Sequence, residues 1–484
     1  MKEKVVIHWF KQDLRLHDNP SLYSSCETGR IIPIYIFDTY NPKQYQIGSA
    51  SSWWLYHSLI SLQKSLSGNL CLFLGNPKDI LLYLIDKYNV CSVNWNRCYA
   101  SWQIERDSDI EKFLTSKGVE VKTYNASLLW EPWETLKQDG TPYKVFTPFY
   151  KRGCLLNGVS PRKPMPVPGE IEFFFKDNEY NNIEKLNLLP NLAWHKKLSK
   201  HWEIGEEDAI SKLADFIESS LQNYKEGRNY PGENFASRLS PHIHFGEISP
   251  NFIWDKINSI ESDENTQHFF SELGWREFSY YLLYHFPFLP KKNLQKNFDK
   301  FPWGKNEKYL DCWQKGVTGY PIVDAGMRQL WEEGYMHNRV RMIVGSFLVK
   351  NLLLHWHHGQ RWFWDCLVDA DLANNSAGWQ WIAGCGADAA PYFRIFNPIT
   401  QGHKFDAQGK YTRKYVPELN NLPDKYLFSP WEAPKNILKE AGVVLGENYP
   451  YPIVNLQESR NLALEAYDKI KLKNNFNNGY STVL

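Results

Sequence analysis

The hydrophobic rhythm of the chain changes once, near residue 202. Before that point short unbroken apolar runs alternate with amphipathic stretches, the pattern of buried strands separated by helices. Residues 4–9 (KVVIHW), 31–37 (IIPIYIF), 70–74 (LCLFL), 92–95 and 119–124 read as strands, and residues 50–65, 78–88 and 103–116 as helices. Strands and helices in this alternation predict a parallel sheet with right-handed crossovers. The segment after the first strand, FKQDLRLHDNP, reads as a charged loop, and no glycine-rich phosphate motif follows any strand. The sheet is therefore Rossmann-like in architecture without a diphosphate fingerprint, and says nothing of function by itself. From residue 129 to 202 the periodicity weakens, and SPRKPMPVPGE has the proline and base content of a long surface connection. Beyond it helical periods dominate to about residue 470. The expected fold class is α/β plus all-α: a sheet domain over residues 1–130, a linker over 131–201, a helical domain over 202–472 and a frayed tail over 473–484.

Composition narrows this picture in two places. Aromatic residues make up 15% of the 484 positions, with 20 tryptophans, so either the core is unusually aromatic or some rings stack on a ligand. The formal net charge is +1, so any nucleic-acid binding must come from a local patch rather than a global field. The 8 cysteines form no C-x-x-C pair and read as reduced thiols. His355, His357 and His358 have no acidic or cysteine partner at metal spacing and read as solvated or capping residues. With no signal peptide and no apolar run of membrane length, a cytoplasmic protein without membrane contact is expected.

The chemistry concentrates in residues 335–398. Residues 338–354 suit a helix buried on most sides, and on it Asn338, Arg341 and Met342 share a face. An inward arginine needs an anion, for which Asp369 and Asp371 are the nearest carboxylates in sequence. Asn374, Asn375, Trp379 and Trp381 follow: amides for the edge and rings for the face of a flat aromatic ligand, or alternatively plain core after a helix cap. Upstream, Tyr224 and Arg228 precede ASRLSPHIHFGEISP, where Ser237 and Ser240 bracket Arg238 ahead of a helix start. That arrangement suits a phosphate, or an ordinary serine cap. Glu272, Trp275 and Arg276 share a helix face that could hold and stack a base, or form an i,i+4 ion pair.

The motifs WFKQDLRLHDNP, YKVFTPFYK, SRLSPHIHFGEISP, WREF, GYPIVDAGMRQL, MHNRVRM, NSAGWQW and DAAPYFRIFNP span almost the whole chain in order. Together they resemble the photolyase and cryptochrome flavoproteins, above all the bacterial cyclobutane pyrimidine dimer photolyases. The resemblance implies a carbon–carbon lyase acting as a monomer on UV-damaged DNA, with photoexcited reduced FAD donating an electron to a flipped-out dimer and recovering it. It implies flavin phosphates near Ser237, Arg238, Leu239 and Ser240, with Tyr224 close by. Arg341 and Asp369 would pair against the ring system, lined also by Asn338, Ala370, Asp371 and Arg276, and Asn375 would face flavin N5. Two positions depart from the family pattern: Ala236 stands where a threonine is usual, and Phe269 where some relatives have tryptophan.

The same resemblance implies a lesion pocket walled by Trp275, Trp381, Asn338, Met342 and Glu272. Arg228, Arg339 and Arg394 would take flanking phosphates, seconded by Lys404 and Gln401. Trp379, Trp356 and Trp303 would form an electron relay. Asn375 sides with repair enzymes against plant cryptochromes, which carry aspartate there. Asn338 and Met342 exclude a 6-4 photoproduct enzyme, which would need histidines at these positions. A blue-light-sensing cryptochrome and a single-strand-preferring relative are the alternatives. A second, antenna chromophore is expected in the sheet domain, folate (methenyltetrahydrofolate) being favoured over a deazaflavin. Glu105 would match a folate-contacting carboxylate although Ile104 precedes it, and Trp53 and Trp54 could shape a different pocket.

Overall fold

The computed structural model describes residues 4–156, 160–175, 178–190, 192–389, 391–392 and 394–478, with side chains described to residue 471. Five parallel strands, β1 (Val5–Phe10), β2 (Arg30–Asp38), β3 (Cys71–Gly75), β4 (Ser92–Asn96) and β5 (Glu120–Tyr124), lie in the order β3-β2-β1-β4-β5. The register sets Trp9 of β1 between Ile34 of β2 and Trp95 of β4. β1 and β4 are buried along their whole length, as central strands of a covered parallel sheet should be, although β4 (SVNWN) carries the buried polar residues Ser92, Asn94 and Asn96. Every expected strand is present with its ends displaced by a residue or so.

Four helices make the crossovers: α1 (Pro20–Thr28), α2 (Ser49–Ser65), α3 (Pro77–Tyr88) and α4 (Ser101–Ser116). The first of these has no clear apolar period and is not foretold by the pattern. Its start is written in local chemistry instead: the Asn19 side chain accepts the Leu22 N–H, and Pro20 fills the first position, where no N–H is needed. The charged loop before it is buried rather than solvated. Arg15, 2% exposed, donates to the carbonyls of His17, Asp18, Ala126 and Gly246. A guanidinium has five donors, and here four go to main chain, so this arginine is a structural staple.

The chain forms two compact units. The first comprises Met1–Gln222, Ser237–Pro287 and Val368–Asp371; the second comprises Asn223–Ala236, Phe288–Leu367 and Leu372–Leu484. Besides the sheet, the first unit holds α5 (Glu206–Ser219), α6 (Ser240–Phe245), α7 (Pro250–Asn258) and α8 (Glu264–His285). The second is helical: α9 (Glu307–Lys315), α10 (Pro321–Glu333), α11 (Asn338–Ser346), α12 (Trp356–Cys366), α13 (Leu372–Ala383), α14 (Pro398–Phe405), α15 (Lys410–Tyr415) and α16 (Leu456–Asn478). The expected tail lies partly on α16, and residues 479–484 lie outside the described residues.

The helix expected over residues 338–354 is interrupted. α11 ends at Ser346 and passes into a wide π-type turn, Phe347–Asn351, after which Leu353 adopts a left-handed conformation at φ 52°. That turn aims the Leu353 carbonyl at the Gly304 N–H, 2.8 Å away, and so trades a continuous helix for a tie to a distant segment. His355 caps the start of α12, its ring nitrogen accepting the His357 N–H at 3.1 Å, as expected for that cluster. The cysteines are unpaired, and no group of metal-binding side chains occurs among the described residues. No described helix is long and apolar enough to cross a membrane.

Candidate functional site

In the first unit, α8 carries the expected cluster. A capping box between Asp263 and Thr266 fixes its start, and Phe269 is buried one turn on. Trp275 is half-buried and stacks on Phe146, with ring centroids 3.9 Å apart and planes 10° from parallel. That contact locks the indole's orientation from one face. Arg276 turns to its neighbour, its Nη1 donating to Glu277 at 2.9 Å, while Glu272 has His268 one turn back at 3.8 Å. Arg276 thus pairs with Glu277, and Glu272 faces His268 at i,i+4 spacing. Glu277 also accepts the N–H groups of Leu129 and Trp130 at 2.8 and 3.3 Å, and burial pushes its carboxyl up to about 7 against the pull of Arg276.

Arg238 adopts a left-handed conformation at φ 52°, which turns the chain sharply into α6. Its guanidinium lies 4.3 Å from the centre of the Trp202 ring. Ser237 Oγ accepts the Leu239 N–H at 3.5 Å, and Ser240 is the first residue of the helix rather than its cap. The Ser240 hydroxyl donates to Asp369 Oδ2 at 2.6 Å. Asp369, Ala370 and Asp371 are all buried. Asp371 accepts the Tyr280 hydroxyl at 2.5 Å and has His244 at 3.5 Å, and Arg276 lies over the Tyr280 ring at 4.7 Å. Tyr280 and His244 were not singled out from the sequence, although each stands four residues after a chosen one, Arg276 and Ser240. A helix brings such pairs together.

In the second unit, His337 accepts the Arg339 N–H and so caps α11. Asn338 is exposed at its start, and Arg341 and Met342 are half-buried one turn on. Arg341 Nε donates to the Met336 carbonyl at 2.7 Å, and its guanidinium lies 5.3 Å from the Tyr335 ring centre. Arg339 bonds Asn229 and sits 4.4 Å over Phe405, which Lys404 also covers at 5.2 Å. Burial, and then Arg228 nearby, lower the basicity of Arg339. Arg228 lies over the Tyr224 ring at 5.6 Å. Like charges gathered on an aromatic platform are a repulsive arrangement that a polyanion relieves. Gln401 is half-buried in α14, and Arg394 is exposed in the segment before it.

On α13, Asn375 donates to the Gln360 carbonyl at 3.0 Å, and Trp381 is half-buried. Trp379 is 4% exposed and Trp356 fully buried, with Trp303 half-buried. The Trp356 N–H donates to Asn293 Oδ1 at 2.9 Å. Its ring is followed by His355 at 5.6 Å, and His355 by Trp303 at 5.1 Å. A Cβ on Gly359 would run into the Trp379 ring, so the glycine is what lets that indole lie against α12.

Two family models match, the FAD binding domain of DNA photolyase over residues 269–469 and DNA photolyase over residues 6–168. The chain belongs to the DNA photolyase family. It is 45% identical to the deoxyribodipyrimidine photo-lyase of Agrobacterium fabrum over 97% of this chain and 99% of that one. The crystal structure of a bacterial class III photolyase from Agrobacterium tumefaciens superposes with a TM-score of 0.93 at 45% identity, covering 97% and 98% of the two chains. Cryptochrome-1 of Arabidopsis thaliana is 35% identical over 96% of this chain and 70% of its own length. The family match makes FAD the cofactor. The first unit's donor set suits it: hydroxyls and main-chain N–H groups at the α6 start for phosphates, and the buried carboxylates of Asp369 and Asp371 for a polar edge.

In the sheet domain Trp53 and Trp54 are 1% and 0% exposed, and the Trp54 N–H donates to Glu247 at 3.0 Å. Glu105 is exposed on α4.

Proposed function

We propose that this photolyase-family chain splits cyclobutane pyrimidine dimers in DNA with light. The observation that carries the reading is 45% identity with a deoxyribodipyrimidine photo-lyase across nearly the full length of both chains. The chemistry FAD supplies when bound is light-driven donation of an electron to the dimer and its recovery after the ring opens. The chain's own residues do the rest. From the first unit, Ser237, Arg238, Leu239 and Ser240 hold the phosphates, and Phe269, Arg276, Asp369, Ala370 and Asp371 line the ring and sugar. From the second, Tyr224, Ala236, Asn338, Arg341 and Asn375 are assigned to the cofactor on the family resemblance. The Ser240 bond fixes the orientation of Asp369, and Tyr280 that of Asp371.

Trp275, already stacked on Phe146, offers the flipped dimer a ring held at a set angle, with Glu272 on the same helix; Asn338, Met342 and Trp381 of the second unit are assigned to the lesion on the family resemblance. Arg228, Arg339, Arg394, Lys404 and Gln401 take the backbone on either side. Trp379, Trp356 and Trp303 pass electrons inward to restore the reduced cofactor. A duplex with one thymine dimer should bind more tightly in the dark than its undamaged twin, and blue light should abolish the difference. Equal affinity for both duplexes would contradict the reading.

The antenna chromophore we propose is methenyltetrahydrofolate. The support is the carboxyl end of β1 and β4, where the strand order reverses and a planar ligand would enter. There Lys11 lies 4.0 and 4.7 Å from the Trp9 and Trp95 ring centres, bonds Asp107 at 2.5 Å, and is flanked by Arg106 on Asp38 at 3.0 Å. Acid extraction of the natively expressed protein should release a folate; a deazaflavin in the extract would contradict the assignment.

A further inference from the structure

Lys350 is fully buried in the wide turn after α11, and no carboxylate pairs with it among the described residues. Its Nζ donates to the main-chain carbonyl of Arg394 at 2.9 Å and lies 5.3 Å from the centre of the Tyr392 ring. One turn back, Ser346 Oγ accepts the Phe396 N–H at 3.2 Å. The segment around exposed Arg394 is therefore tied at two points, Arg394 and Phe396, to one row of side chains. That row, Asn338, Met342, Ser346 and Lys350, recurs every four residues, so the proposed lesion wall and the ties beneath Arg394 belong to one continuous stretch of helix and turn.

The charge on Lys350 is poorly supported where it sits. Burial first, and then the like charge of Arg394, together lower its pKa to about 7. The titratable groups facing it from the packed elements are Tyr392, itself pushed up by burial, and behind it Tyr467 of α16, whose ring stacks at 4.7 Å. With its phenol pushed up by burial, Tyr392 does not balance an ammonium at neutral pH. An anion placed on the Arg394 guanidinium would cancel that repulsion and favour the charged amine.

We propose that Lys350 is a positioning residue for DNA: it holds the Arg394 segment from beneath and takes up a proton from the buffer acid when a DNA phosphate neutralises Arg394. The inference rests on Arg394 being a phosphate contact, and its test separates the two. Binding of the FAD-loaded full chain to a dimer-containing duplex is followed in the dark by calorimetry at about pH 7.5, in phosphate and in Tris. These buffers differ in ionisation heat, so the slope between them counts protons. The wild type should take up about half a proton per duplex, as expected for a lysine whose pKa rises by about one unit through the working pH. Lys350→Met should abolish the uptake and weaken binding about tenfold, as expected for loss of one buried tie of about 1.4 kcal/mol. Lys350→Arg, always charged, should abolish the uptake while keeping the tie, and retained FAD absorbance certifies the fold of each variant. Arg394→Ala should weaken binding and flatten its salt dependence; if it does neither, the phosphate assignment fails. If Arg394→Ala weakens binding while both Lys350 variants keep wild-type proton uptake, the Lys350 proposal alone is overturned.

Discussion

At the scale of single residues, the account turns on side chains held by one good contact and left to present another. Trp275 is the plainest case: its stack on Phe146 fixes the ring, and Trp275→Ala removes both that packing and the surface for the lesion. Lesion discrimination should fall by about 1–3 kcal/mol, as for loss of a stacking aromatic, with undamaged duplex bound as before; competition binding measures this. Asn375→Asp should lower light-driven repair without unfolding the chain, since the Gln360 carbonyl then meets an acceptor in place of the amide donor. Ser240→Ala should cost about 1 kcal/mol of FAD retention by removing its hydroxyl bond to Asp369, which cofactor release during dialysis against denaturant would show. These residues were legible in the sequence as types and spacings. Their partners were not: Phe146 lies far from Trp275 in the chain, and no helical or strand period joins them.

Among elements, the sheet was legible because buried parallel strands are written as unbroken apolar runs. α1 was not, because an asparagine cap and a proline set its start while its faces carry serines. The break after α11 was equally hidden, since FLVKN continues an apolar helix on paper, and only the demand of Gly304 for the Leu353 carbonyl reveals the turn. α12 and α13 offer a sharper test. Gly359→Ala should force the Trp379 ring off α12, destabilising the protein by about 1–3 kcal/mol and slowing photoreduction of the flavin more than repair by pre-reduced enzyme. A transient-absorption record of flavin reduction separates those effects. The start of α12 also sets an acid limit. Burial lowers the pKa values of His355 and His357 to about 4, below the unfolded value of 6.5. The unfolded chain therefore binds more protons between those values, so stability should fall as pH drops from about 6.5 toward 4. Thermal melts across that range should show the loss, reduced in His355→Asn, which keeps a capping acceptor.

For the whole molecule, a formal net charge of +1 means that DNA affinity must come from place rather than quantity. Arg228, Arg339 and Lys404, gathered around Tyr224 and Phe405, make such a place. Arg339→Ala should reduce the slope of log affinity against log salt by about 1, uniformly for damaged and undamaged duplex, while Trp275→Ala should leave the slope alone. The central claim, that this chain uses light to reverse pyrimidine dimers, is met most directly by illuminating the reduced FAD-loaded protein with blue light on a duplex carrying one thymine dimer and quantifying the dimer against a dark control. The dimer should be lost only in the light, with restored thymines as the product. A protein with a normal flavin spectrum that leaves the dimer intact under illumination would contradict it.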